Sequence, residues 1–191
     1  DFHRRVHRLD KDTSGVFLVA KNDESLEFLQ KQFQKRKIEK KYLALVVGNL
    51  KNSRGAIETL LGRSPKDRRK QKVYLPNEPG LEKNRRKAIT KYRVLQKFSA
   101  QGGSALGGEN YDLIEVEPKT GRKHQIRVHF AYLGHPIAGD KLYGFKNQAL
   151  PKGLKRQFLH SNYLKIELPD GQTKEFNSEL PDDLKKALEK I

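Results

Sequence analysis

One carboxylate sits among cations in a short polar stretch. Asp10 lies within His7-Arg8-Leu9-Asp10-Lys11-Asp12-Thr13-Ser14-Gly15, and the apolar run of residues 16–20 follows directly. A loop of this composition is poor core material, and cations on both sides favour the ionised form of a carboxylate. Aimed from a loop, such a group can serve as nucleophile or general base. Acidic residues in basic loops are more often simply solvated, so a second group is needed before the loop reads as a site.

Residues 123–133 supply one. Ile126, Phe130 and Leu133 fall at i, i+4 and i+7, the spacing of an amphipathic helix that Gly134 and Pro136 then stop. Arg127 and His124 lie beside that apolar face, so Arg127 is expected to be partly buried, where a lone cation needs a carboxylate partner. Asp10 is the expected partner. His124, His129 and His135 invite a metal reading, but spacings of five and six do not share one helical face, and no cysteine or acid completes a set. No metal and no cofactor is expected. The absence of cysteine also removes thiol nucleophiles, disulfide frameworks and zinc-deaminase chemistry.

The elements that must hold these residues follow from periodicity. Strands are expected at residues 16–20, 38–47, 56–61, 87–98, 111–116, 157–168 and 173–176. A helix runs from a cap at Asn22 or Asp23 to about Lys35, and a last helix starts at Pro181. The Gly/Ser-rich residues 99–110 suggest a hairpin with a mobile tip, and Asp170-Gly171 a second hairpin. At 191 residues the chain fits one domain spanning 1–191. Strands outnumber helices and most are joined by short turns, which predicts an α+β fold: a mixed, largely antiparallel central sheet with flanking helices and basic loops.

Charge narrows the partner. The formal net charge is +17, which calls for a polyanion, with nucleic acid first. Residues 61–99 carry thirteen Lys and Arg against Asp67, Glu78 and Glu82, including Arg68-Arg69-Lys70. Loops of this kind can follow a phosphate backbone, and Tyr74 and Tyr92 offer stacking faces for unpaired bases. Residues 30–41 are also cationic, whereas residues 166–191 are net negative and are expected to face away from RNA. No apolar run approaches the roughly 20 residues of a membrane span, and no membrane partner is expected.

His7-Arg8-Leu9-Asp10-Lys11-Asp12-Thr13-Ser14-Gly15 closely resembles the motif around the catalytic aspartate of pseudouridine synthases, in the RluA/RluD branch. Lys41-Tyr42-Leu43-Ala44-Leu45-Val46-Val47-Gly48 fits the same family, as do the stretch from Thr120 to His129, the stretch from Gly134 to Asp140 and, more weakly, Phe158-Leu159-His160-Ser161, all in the family's order. Members normally carry an earlier strand with a Lys-Pro pair, and often a small RNA-binding domain before it. Neither is present and the chain contains no methionine, so loss of an N-terminal segment is expected.

The resemblance implies a bent central sheet with the cleft across its middle, no cofactor and no metal. It implies an RNA uridine isomerase, with ribosomal RNA favoured over tRNA as partner. Asp10 is the catalytic carboxylate, Tyr42 lies against the target base, and Arg127 orients Asp10. As a strand tyrosine alone, Tyr42 would be read as a core residue. Arg8 is expected to fill the space left by the turned-out base, with Ile126 and Leu159 as apolar walls, and His7, Arg122, Arg68, Arg69 and Lys70 on the RNA side. A cytoplasmic monomer is expected, with an organelle open if a targeting segment was removed. The rival reading from charge alone is a non-catalytic RNA-binding module associated with ribosomes. A metal-dependent nuclease is disfavoured because no acid cluster accompanies Asp10 and Asp12.

Overall fold

The computed structural model describes residues 4–75, 85–99, 110–148 and 150–191. In chain order the elements are β1 (Ser14–Gly15), α1 (Asp23–Lys35), β2 (Glu39–Val47), β3 (Arg54–Arg63), β4 (Gln71–Tyr74), β5 (Arg86–Phe98), β6 (Tyr111–Pro118), α2 (Gln125–Tyr132), β7 (Leu159–Glu167), β8 (Thr173–Asn177) and α3 (Asp182–Leu188). The strands form one sheet in the order β1-β7-β2-β6-β5-β3-β4, with β8 beside β1 on the outer edge of β7. Among the described residues only β1 and β7 run parallel. This is the mixed, mostly antiparallel α+β architecture expected.

Both faces of the middle of the sheet are covered, and β2 shows why. Successive strand residues point to opposite faces. Ala44 and Val46 join Ile126 and Phe130 of α2 in one core, whereas Leu45 and Val47 join Leu184 and Ala187 of α3 in another. A third cluster seats Leu29 of α1 against Val6, Ala20 and Ile166. Asn22 caps α1 by accepting from the Ser25 N–H at 2.8 Å. The buried Gln32 side chain ties α1 to β7 through both the N–H and C=O of Glu167.

Three expectations change. Residues 16–20 do not form a strand: they make one isolated bridge, Arg5 to Val19, and leave Phe17 and Val19 39% and 53% exposed. Among the described residues their antiparallel partner is a short irregular segment, and the regular pairing belongs to Ser14 and Gly15. At Gly15 φ is 115°, and a Cβ would stand 2.1 Å from the Ser161 carbonyl oxygen, so only glycine lets the loop meet β7. Second, β3 is longer than residues 56–61 and pairs with a short β4 inside the basic region. Third, α2 starts at Gln125 because His124 takes a left-handed φ of 55°. The hairpin tip expected within residues 99–110 lies almost wholly outside the described residues, while its arms pair in register from Phe98 and Tyr111.

Candidate active site

The Asp10 loop is braced from the segment that leads into β7. The Asp10 carbonyl accepts from Thr13 N–H at 3.1 Å, closing a turn. Buried Gln157 donates to the Lys11 carbonyl and to the Thr13 hydroxyl at 2.8 and 2.9 Å. Arg156 donates to the Asp12 carbonyl at 2.9 Å while its fork holds Asp183 of α3. His160 Nε2 faces the Ser178 carbonyl, so it carries the proton, and Nδ1 accepts from the Ser14 hydroxyl at 2.9 Å. A carboxylate on a loop this constrained is preorganised. Neither Arg156 nor Gln157 is signalled by sequence spacing.

Arg127 is buried, as its place beside the apolar face of α2 implied, but its main partner is not Asp10. Nε and Nη2 bind the two Asp140 oxygens at 2.6 and 2.8 Å, while Nη1 reaches Asp10 at 3.4 Å. Asp140, fully buried, also accepts from the N–H groups of Leu142 and Tyr143. A bidentate pair with further donors is what a buried ion pair requires. Gly139 beside it has φ of 75° and a Cβ there would meet the Arg156 carbonyl at 2.2 Å. The Tyr143 ring lies 5.2 Å from the Arg127 guanidinium. Its hydroxyl accepts from Gln71 N–H and so donates to His124 Nδ1, both at 2.8 Å. Burial pushes the Tyr143 hydroxyl up to about 12 and lowers the His124 pKa.

A cleft of about 150 Å³ opens in front of Asp10, with Tyr42, Ile126, Leu159 and His124 among its walls. It joins an outer cleft of about 450 Å³, and Arg8, Lys40, Tyr42 and Arg122 line both. Arg8 is exposed at that junction. Burial, against a hydrogen bond with Ser161, raises the Tyr42 hydroxyl to about 12, so it rests as a phenol. Lys40, which periodicity left as an ordinary strand residue, is half-buried where it lines both cavities and is lowered to about 8 by desolvation. The Gln125 side chain fixes the loop ahead of α2: its carbonyl accepts from the Thr120 hydroxyl and Arg122 N–H, its amide donates to Ile89 and Thr90.

Other candidates are used differently. His7 borders the outer cleft, but its ring stacks on Phe33 at 4.8 Å and Nε2 accepts from Leu18 N–H at 3.1 Å. Burial, then the charge of Lys40, lowers it to about 4, so it presents a neutral wall. Arg68, Arg69 and Lys70 lie in different surroundings: Arg69 is paired with Asp67, Lys70 lies over Tyr143 at 6.0 Å, and of the three Arg68 lines a groove with Arg122. The Tyr74 ring is occupied by Arg85 and Lys72, at 4.1 and 4.9 Å, and Tyr92 packs edge-on against Phe130. The Tyr74 face is therefore not a free platform. The histidines serve packing: His129 bonds Thr90 and Thr59, and His135 bonds the Val47 carbonyl. Among the described residues no group of three His, Cys, Asp or Glu is placed to hold a metal ion.

Residues 3–132 match the family model described as RNA pseudouridylate synthase. The chain is 40% identical over 187 residues to an uncharacterized RNA pseudouridine synthase of Chloroflexus aurantiacus, covering 97% of this chain and 52% of that protein. It is 42% identical over 177 residues to the ribosomal large subunit pseudouridine synthase D of Borreliella burgdorferi, covering 92% and 48% respectively. The solved structure of human RNA pseudouridylate synthase domain containing 1 superposes with a TM-score of 0.77 at 30% identity, covering 93% of this chain and 69% of that one. The chain thus spans about half the length of the curated relatives it matches.

Proposed function

The chain belongs to the RNA pseudouridylate synthase family, and on that premise we propose that it isomerises uridine to pseudouridine in structured RNA, with Asp10 as the catalytic carboxylate. Ribosomal RNA is the preferred substrate class, because relatives such as the Borreliella enzyme are named for the large ribosomal subunit. The observation that carries the reading is the small cleft in which the Asp10 carboxylate faces Tyr42 between the apolar walls Ile126 and Leu159. It is a slot for one flat base beside one fixed carboxylate. We take the enzyme to work as a cytoplasmic monomer.

The target nucleotide turns out of its stack into the slot, because the glycosidic carbon is shielded inside a helix. Arg8, at the mouth shared by the two cavities, takes the vacated place. Asp10 breaks the bond between ribose and base, either as nucleophile at the sugar or as the base that removes a sugar proton. Arg127, held by Asp140, keeps that carboxylate oriented. The uracil turns and rejoins the sugar through carbon 5. Tyr42 stacks on it and takes the surplus carbon-5 proton, for which the phenol must pass its own proton on; the Ser161 hydroxyl is its hydrogen-bonded neighbour.

The test is tritium release from RNA labelled at uridine carbon 5, in wild type and Asp10→Asn, with RNA affinity measured alongside. Wild type should release tritium and Asp10→Asn should not, while both bind RNA nearly equally, since the lost charge acts on the sugar and not on phosphate. Release by Asp10→Asn would remove the carboxylate from the mechanism, and a wild-type protein that binds RNA without release would be the non-catalytic binding module.

A further inference from the structure

Beside the Asp10 cleft a separate groove of about 610 Å³ opens where three strand ends meet the loop ahead of α2. Register brings the ends together: Leu61 of β3 pairs with Arg86 of β5, and Arg63 of β3 with Gln71 of β4. The lining holds Arg63, Arg68, Arg86, Arg122 and Lys123, and no carboxylate. Nearby acids are turned to other cations, Asp67 to Arg69 and Glu58 to Lys87. Among the described residues Arg63, Arg68, Arg86 and Lys123 make no ion pair.

Five cations facing one groove with no counter-charge repel one another, and the fold keeps them there. Burial, then the charges of Arg86 in the groove and of Arg36 outside it, lower the pKa of Arg122. Its Nε donates to the Lys87 carbonyl at 3.1 Å, which holds the guanidinium in place against that repulsion. Local rules broken without internal gain mark surfaces made for a ligand, and here the ligand must be a polyanion. The lining contains no aromatic ring, so it offers charge to phosphates and no stacking to bases. Arg122 also lines the Asp10 cleft and the outer cleft, so the groove shares a wall with both.

The geometry points to this groove as the track for the phosphodiester backbone of the RNA strand that continues from the reacting uridine, gripped by charge without reading sequence. This rests on the RNA reading above. It assigns backbone contacts to Arg63, Arg86 and Lys123, and withdraws Arg69 and Lys70 from that role.

The test uses the full chain and a labelled hairpin RNA with uridines in its loop. Binding is measured from low to moderate salt for wild type, for Arg63→Ala with Arg86→Ala, and for Lys174→Ala with Lys190→Ala. The last pair removes the same charge from β8 and the net-negative C-terminal end. Each lost phosphate contact should flatten the log-log salt dependence by roughly 0.7 to 0.9, so the groove pair should lose about 1.5 in slope and the control pair close to nothing. Equal slopes for both pairs, or no RNA binding by wild type, would overturn the track. Tritium release by wild type, measured separately, distinguishes the failures: release with an unaltered slope in the groove pair leaves the enzyme standing without the track. A flattened slope without release leaves an RNA track on a protein that is not a synthase.

Discussion

Arg127 grips Asp140 at both carboxylate oxygens, 2.6 and 2.8 Å away, and both side chains are buried. Asp10 is met only by the remaining nitrogen, at 3.4 Å, and its side chain is 16% exposed. The order of these distances decides which contact holds the fold and which is left for chemistry. A carboxylate already neutralised on two edges is a poor reactant, whereas one touched by a single distant N–H is oriented and still free to react.

Removing either member of a buried ion pair typically costs about 3–5 kcal/mol. Asp140→Ala and Arg127→Ala should each destabilise by about that much in urea unfolding. Their double mutant should be far less destabilised than the sum. The same cycle between Arg127 and Asp10 should show a smaller coupling, because the contact is longer and wetter. A larger coupling to Asp10 than to Asp140 would reverse the assignment.

Tyr42→Phe keeps the ring and removes the hydroxyl. If that hydroxyl takes the carbon-5 proton, tritium release should slow by roughly a hundred- to ten-thousand-fold while RNA affinity stays near wild type. Release at the wild-type rate under single-turnover conditions would confine Tyr42 to stacking.

Lys40 is a half-buried cation whose pKa falls from 10.5 to about 8 through desolvation. The folded state therefore binds fewer protons than the unfolded state between about pH 8 and 10.5, so stability rises with pH across that window and is flat below it. Lys40→Met should gain up to about 3 kcal/mol at pH 7, lose the alkaline rise, and need more RNA to reach half its maximal rate. A less stable Lys40→Met protein would show that the charge is compensated.

His7 and His129 are both held near pKa 4 by burial, against 6.5 unfolded. The unfolded state takes up protons first, so stability is full above pH 6.5, falls as pH drops from 6.5 to 4, and levels off below. The loss is at most about 3 kcal/mol for each histidine. Thermal unfolding across this range should show it. His129→Asn, which retains neutral hydrogen-bonding atoms for Thr59 and Thr90, should flatten the profile, and an unchanged slope would clear His129 of the effect.

What the chain's own order of residues determined is what depends on neighbours along it. The i, i+4, i+7 spacing in residues 123–133 put Arg127 at a buried edge and therefore in need of a carboxylate. Alternation put β2 in the sheet, charge density implied a polyanion, and the cations around Asp10 marked the loop. Tertiary structure decided which groups meet. Asp140, thirteen residues beyond Arg127 across the turn at Gly139, outcompetes Asp10 because it can reach the guanidinium's paired edge. The apolar run at residues 16–20 had the composition of a strand, yet strands exist only where a partner edge continues, and here that edge belongs to Ser14 and Gly15. His7 turned inward onto Phe33, Lys40 became half-buried between two cavities, and Arg68, Arg69 and Lys70 went to three different environments. Periodicity reports how much of an element is buried. It carries no information on which distant charge or edge arrives to satisfy it, because that is set by contacts between residues far apart in the chain.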